Sequence, residues 1–279
     1  MRVHDSCVSV CIPARMGSSR FPGKPLARLC GKPLIQHVYE AIQGTAEVGQ
    51  ILVLTDHEDI VQAVNEFGGE VLLVTESCRT GTDRVAKVAQ ALTYDIVVNW
   101  QADEIPLHRH LLSDLVTPFL QSSAGMGTLK RALTESADVL NPSIVKVVTS
   151  HRGEALYFSR SPIPCWRDGY HHTGFPLAYM HLGVYIFRKS VLLQIANSPS
   201  GILEDAEKLE QLRALEYGIP IQVWETRHPS LRIDDPADLP VAEAEFFAYH
   251  ASQREEQSGF AGMCARTDGT HPHCWSPLL

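Results

Sequence analysis

The stretch IPARMGSSRFPGKPL, residues 12–26, follows a run of short-chain and β-branched residues, Cys7, Val8, Val10, Cys11 and Ile12. That run has the composition of a buried strand. Its apolar character stops at Pro13. The loop beyond holds Arg15, Gly17, Ser18, Ser19, Arg20, Gly23 and Lys24, with no acidic residue among them. At a strand's carboxyl end such a loop can wrap polyphosphate, because glycines let backbone N–H groups approach and the cations neutralise phosphate oxygens. Lys24 is followed by Pro25, so this is not the GxxxxGK[ST] loop, and a different nucleotide fold is implied. By composition alone, the segment fits an ordinary basic surface loop equally well.

Outward from that stretch, short apolar strands alternate with amphipathic helices. Residues 34–43 read as a helix, 51–56 as a strand, 57–69 as a helix ending at Gly68-Gly69, and 70–74 as a strand. A helix from Thr82 places Val85, Val88, Ala89 and Leu92 on one face, and 95–100 is again a buried strand. This alternation predicts an α/β fold, a mainly parallel sheet with flanking helices. Ligands of such sheets bind beyond the strands' carboxyl ends, where the loop at 13–26 and the turn at 101–106 both lie. The second half is less regular. Strands are expected over 125–133, 143–150, 156–158, 178–187 and 221–225, with a short helix over 189–196 and a helix over 203–216 striped by Leu203, Ala206, Leu209, Leu212 and Leu215. A last helix near 237–253 is interrupted at Pro240. One catalytic domain is expected over 1–253, with a nucleotide half to about 130 and a smaller acceptor lobe over 131–253. Residues 254–279 lack periodicity and read as a disordered tail. Cys264, His271, His273 and Cys274 in that tail match no zinc-finger or ribbon spacing.

A chain of 279 residues can bury a full core, and 44% hydrophobic with 20% charged residues is ordinary for a globular protein. The net charge of −8 argues against nucleic acid or an anionic membrane as partner, though not against a small anion in a basic pocket. No apolar run reaches transmembrane length and the N-terminus lacks a signal-peptide plan. Seven scattered cysteines suggest reduced thiols in a cytoplasm.

The motifs PAR, SRFPGKPL and GKPLIQHV resemble the signature of sugar-activating nucleotidyltransferases, and most of all the cytidylyltransferases typified by the CMP-Kdo synthetase family. NWQADEIP, LRIDDPADL, CRTGTDR, YFSRSPIP, HLGVY and LEQLR continue the resemblance in order, over about residues 7–250. It implies a nucleotide-diphospho-sugar-transferase-like fold in which Pro13, Ala14, Arg15, Arg20 and Lys24 bind the triphosphate of CTP. Thr80, Gly81 and Thr82 would read cytosine, with Gln101 against the nucleotide. Arg15, Lys24 and Asp103 would be catalytic, and Asp103 with Asp234 would hold Mg²⁺. Arg160, His181, Tyr185, Glu210 and Gln211 would bind the acceptor. Read locally, Asp103 is also a plausible loop carboxylate, Asp235 a helix N-cap and Thr82 a cap of the helix that follows it. Two departures stand out beside the metal. Ala102 replaces the family's glycine, and Ile105 precedes the proline.

The expected reaction is in-line attack of an anionic acceptor on the α-phosphorus of CTP, with release of pyrophosphate. Resemblance makes Kdo, an acid of lipopolysaccharide, the first acceptor, with a phosphonate such as phosphonoformate in antibiotic biosynthesis as the alternative. Family members are commonly homodimers. A metal-dependent glycosyltransferase would need an Asp-x-Asp motif where this chain has Asp103-Glu104, and a non-catalytic nucleotide sensor would have no need of both carboxylates and the loop lysine.

Overall fold

The computed structural model describes residues 8–17, 20–108, 110–167, 169 and 176–264, as backbone alone from 254 on. Its first strand, β1 (Val8–Ala14), alternates its side chains between two cores. Val10 and Ile12 face one side and Cys11 the other, all fully buried. β4 (Val48–Thr55) and β6 (Ile96–Trp100) flank it in parallel, and β5 (Val71–Leu73) continues the sheet beyond β4. Two short segments, β2 (Arg28–Leu29) and β3 (Lys32–Pro33), form a hairpin after the basic loop. Helices α1 (Leu34–Ile42), α2 (Glu58–Glu66) and α3 (Gly81–Val88) connect these strands, as the alternation predicts. The loops after β1 and β6 and the one leading into α3 therefore emerge at the same edge of the sheet.

The other half is built on β11 (Ala178–Arg188), which runs antiparallel to β6 with Val184 opposite Trp100. Residues before Val184 consequently overshoot the carboxyl end of β6 and reach the loop edge. β11 also pairs β8 (Met126–Leu133) and β9 (Lys146–Thr149). Beyond these lie β12 (Ile221–Glu225) and β10 (Ala155–Ser159). Between β6 and β8 run the three-residue β7 (Glu104–Pro106) and α4 (His110–Leu120), neither of them evident in the sequence pattern, followed after β8 by α5 (Ser136–Leu140). β7 pairs antiparallel with β13 (Ser230–Arg232), with Arg232 opposite Glu104. The Ile233 N–H then donates to the Asp103 carbonyl at 3.3 Å, which brings Asp234 beside Asp103.

Three expectations need correction. The helix expected over 203–216 is broken into α7 (Ile202–Glu207) and α8 (Leu212–Glu216). Lys208 sits between them in the left-handed region at φ 54. The break has a cause: buried Arg213 donates through Nε and Nη2 to Glu204 at 2.7 and 2.5 Å. In a continuous helix, residues nine apart lie on opposite faces, separated by about 13 Å along the axis. Second, Pro240 does not interrupt the last helix. It sits in the first turn of α9 (Leu239–Cys264), where its missing N–H costs nothing, while Asp235 caps the preceding 3-10 turn Pro236–Asp238. Third, α9 carries the chain as helix through 264, where a disordered tail was expected. His271, His273 and Cys274 lie outside the described residues. α6 (Lys189–Asn197) follows β11 as expected.

Candidate active site

The parallel strands' carboxyl ends, the overshooting start of β11 and the α7–α8 break enclose a cavity of about 640 Å³. Pro13, Ala14, Arg15, Arg20 and Lys24 line one wall, and the loop is pinned where Gly23 N–H donates to the Met16 carbonyl at 3.0 Å. Gly23 has φ +73, a conformation that disfavours any side chain, and it starts the short turn Lys24–Leu26. That turn aims Lys24 Nζ at Asp103 Oδ2 (2.5 Å) and the Ile233 carbonyl (2.9 Å), 3.7 Å from Asp234 Oδ1. Arg20 Nη2 reaches Asp234 Oδ1 at 3.1 Å. Burial pushes the Asp234 carboxyl up, but Arg232, Lys24 and Arg20 outweigh it and hold its pKa below the usual carboxylate range.

Beside the start of the basic loop, Arg79, Thr80, Gly81 and Gln101 also line the cavity. Thr80, not Thr82, is the N-cap of α3, its hydroxyl accepting from Asp83 N–H at 3.1 Å. Thr82 is a second correction of site: its side chain is buried behind the cavity wall, its hydroxyl accepting from Asn99 Nδ2 at 3.0 Å. Its backbone N–H donates to Glu210. Gly81 lies so close to Gln101 that a Cβ would stand 3.1 Å from Nε2, so a side chain there would press on the amide facing the cavity. Ala102 keeps an ordinary negative φ, so the methyl group that replaces the family's glycine imposes no backbone strain.

The far wall carries Arg160, His181, Tyr185, Glu210 and Gln211. Arg160 donates through Nε to the Glu207 carbonyl at 2.9 Å and through Nη1 to the Pro142 carbonyl at 3.1 Å. Thr128 gives its hydroxyl hydrogen to the Val184 carbonyl at 2.6 Å and meets His181 Nε2 at 2.9 Å. His181 must therefore donate from Nε2, which leaves Nδ1 as acceptor. Burial first, then the nearby Arg232 charge, lower the His181 pKa to about 3, so the ring is neutral. Tyr185 donates to Gln211 Oε1 at 2.9 Å, and burial followed by the Glu210 charge pushes its phenol well up. Burial also raises the Glu210 carboxyl, against the donors Thr80 and Thr82.

Residues absent from the sequence-based set also reach the cavity. Arg79 lines it, bonding Asp83 and, through Nη1, Ser200 Oγ at 2.8 Å. Lys208, turned out by its left-handed backbone, and Arg232 join it. Position within the quoted stretches CRTGTDR and LRIDDPADL was the one available signal for Arg79 and Arg232. Nothing in a leucine-striped segment announces the break that frees Lys208.

Asp103 and Asp234 supply an all-oxygen donor pair with a cation, the Lys24 ammonium, already drawn between them. Among the described residues no group of three or more His, Cys, Asp or Glu is arranged to hold a metal. Mg²⁺ does not need one, since it takes one or two carboxylates and completes its octahedron with phosphate and water. The pair fits that ion.

Comparison with known proteins places this arrangement. A family model described as cytidylyltransferase matches residues 9–223. The 3-deoxy-manno-octulosonate cytidylyltransferase of Geobacter sulfurreducens is 45% identical over 240 residues, 83% of this chain and 96% of the relative. The chain belongs to the 3-deoxy-manno-octulosonate cytidylyltransferase family. The enzyme of the same description from Trichlorobacter lovleyi is 46% identical over 82% of this chain and 94% of its own. A solved CMP:2-keto-3-deoxy-manno-octonic acid synthetase complexed with CTP superposes with a TM-score of 0.80 at 38% identity, covering 87% of this chain and 99% of that one. The inositol-1-phosphate CTP transferase of T. maritima shares only the fold, with a TM-score of 0.62 at 14% identity, over 88% and 97% of the two chains. The α/β architecture read from the sequence is thus that of nucleotidyltransferases.

Proposed function

We propose that this cytidylyltransferase transfers CMP from CTP to Kdo, releasing pyrophosphate and forming CMP-Kdo. The observation that carries the reading is the convergence of Lys24 and Arg20 on Asp103 and Asp234 at the floor of one cavity with room for a nucleotide and a sugar acid. Triphosphate is a stronger attractor for the loop cations than two half-buried carboxylates. Its arrival would draw Arg15, Arg20 and Lys24 onto phosphate oxygens and release the aspartates. Asp103 and Asp234 would then hold Mg²⁺, whose charge lowers the pKa of an acceptor hydroxyl when bound there. Lys24 and Arg15 would offset charge developing on the transferring phosphoryl group and the departing pyrophosphate. Glu210, bonded to Thr82 N–H, would fix the cytosine-facing turn relative to the acceptor wall.

The names of the relatives and of the solved neighbour favour Kdo over a phosphonate. The wall itself is consistent with either, since Tyr185, Gln211 and His181 already have partners. We place the reaction in the cytoplasm, where CTP is at hand. Cys11, Cys30, Cys78 and Cys165 are free thiols, and no described helix is long and apolar enough to cross a membrane.

Pyrophosphate release, measured with Mg²⁺ and a panel of sugar acids and phosphonates, tests the reading. CTP should exceed UTP, ATP and GTP by well over tenfold in kcat/KM, with Kdo the best acceptor. Equal rates with UTP would remove the cytosine assignment. Release with phosphonoformate and none with Kdo would reverse the acceptor ranking.

A further inference from the structure

Arg232 lies within the LRIDDPADL stretch, where the resemblance gives it no role, yet strand geometry commits it to the cavity. Leu231 and Ile233 are buried in the core at 3% and 0% exposure, so Arg232 and Asp234 share the opposite face, two residues apart. Pairing of β13 with β7 sets Arg232 opposite Glu104, next to Asp103. Its Nε donates to Asp234 Oδ2 at 3.1 Å, which fixes the guanidinium beside the carboxylate pair, with the side chain one-third exposed to the cavity.

The two arginines of this wall differ in what remains to be bound. Arg160 spends Nε and Nη1 on the backbone carbonyls of Glu207 and Pro142. From Arg232, no hydrogen bond of either terminal nitrogen reaches a described residue, so both are available to a ligand. The neighbours feel its charge directly. It is the second cause, after burial, of the lowered pKa values of His181 and Arg160. Burial disfavours the Arg232 charge, but Asp234, Glu104 and Asp103 outweigh it and hold the guanidinium charged, so its open terminal nitrogens present a fixed positive charge to the cavity.

We propose that Arg232 is the specificity-determining residue for the acceptor's carboxylate, selecting acids whose carboxylate is attached to the carbon bearing the reacting hydroxyl. This rests on the reading that Asp103 and Asp234 mark where that hydroxyl binds. A carboxylate on the same carbon lies within a few ångströms of the hydroxyl, so its binding group must adjoin those aspartates. Arg232 does, with its planar fork still open for a bidentate contact. Kdo meets this description, since its carboxylate is attached to its anomeric carbon.

The test is calorimetric binding of Kdo, and of its methyl ester, to protein saturated with α,β-methylene-CTP. The wild type should prefer Kdo over the ester by at least tenfold. Arg232→Met should weaken Kdo at least tenfold, leave the ester unchanged and so erase the preference, with affinity for the CTP analogue unaltered. Arg232→Lys should recover part of it, as a point charge without the fork. If Arg232→Met keeps the Kdo affinity and preference and lowers only kcat, the arginine merely holds Asp234, and the proposal fails. A wild type that binds phosphonoformate but not Kdo defeats the acceptor assignment instead. Arg232 is then judged on phosphonoformate, where unchanged binding by Arg232→Met overturns it. A wild type that binds neither acid overturns both.

Discussion

Lys24 Nζ stands 2.5 Å from Asp103 Oδ2 and 3.7 Å from Asp234 Oδ1, so one ammonium lies between two carboxylates delivered by distant parts of the chain. The contact ties the loop after β1 to the loop after β6 and, through the β7–β13 ribbon, to the segment preceding α9. It also makes the lysine a competitor for whatever cation the aspartates bind. Removing the competitor and removing its catalytic charge should therefore have opposite consequences. Lys24→Met should lower kcat by about a hundredfold or more, because the triphosphate loses its most buried cation. The nucleotide-free variant should nonetheless bind Mn²⁺ about tenfold more tightly than the wild type, an effect of about 1.4 kcal/mol, read by electron paramagnetic resonance. Unchanged Mn²⁺ affinity would mean that the ion pair does not guard the site.

The aspartates themselves can be told apart from their neighbour. Asp103→Asn and Asp234→Asn should each reduce kcat by about a hundredfold or more while circular dichroism stays that of the wild type, because each loses a charged ligand for the metal. Asp235 caps the turn Pro236–Asp238 and takes no part in lining the cavity. An Asn caps nearly as well, so Asp235→Asn should remain within a few-fold of wild-type activity. The reverse order of sensitivity would shift the metal position by one residue.

His181 gives a pH signature. Its ring is buried and its pKa lies near 3 in the folded chain, against about 6.5 when unfolded. Between those values the unfolded chain binds one more proton at this site than the folded chain does. Stability from this residue is thus complete above pH 6.5 and is lost as pH falls toward 3. The loss amounts to about 1.4 kcal/mol per pH unit. Urea unfolding at pH 6, 5 and 4 should show a slope shallower by that amount in His181→Asn than in the wild type, whatever the variant's absolute stability. Parallel slopes would indicate a ring that titrates normally in the fold.

The parallel half and its loops were legible because their signals are local. Alternation at Val10, Cys11 and Ile12 marks a strand buried on both faces, and a loop with three cations and no anion marks its carboxyl end. The placement of Asp103, Lys24, Arg160 and Gln211 around one cavity agrees with the motif order. Long-range structure was not legible. β7 and β13 are three residues each, too short for any periodicity, yet their pairing brings Asp234 to Asp103. The leucine stripe over 203–216 has a helical period, but it cannot register that Arg213 must fold back onto Glu204. The cap that the local reading offers at Thr82 falls on Thr80, two residues earlier and equally capable.

Arg213 is where that misreading becomes measurable. It is 1% exposed, bound to Glu204 through two nitrogens and to Asp83 through Nη1 at 2.9 Å, and so clamps α7, α8 and α3 together. The carboxylates raise its pKa, led by Glu204, so the guanidinium is charged at any pH the fold survives. Arg213→Met would leave Glu204 without its cation in a largely buried setting and Asp83 with Arg79 alone, a change that costs about 3–5 kcal/mol in comparable networks. Adding Glu204→Gln to Arg213→Met should restore part of that loss, because one stranded charge is then removed. If the two substitutions instead add independently in urea unfolding, Arg213 and Glu204 are not energetically coupled. The bend at Lys208 would then need another cause.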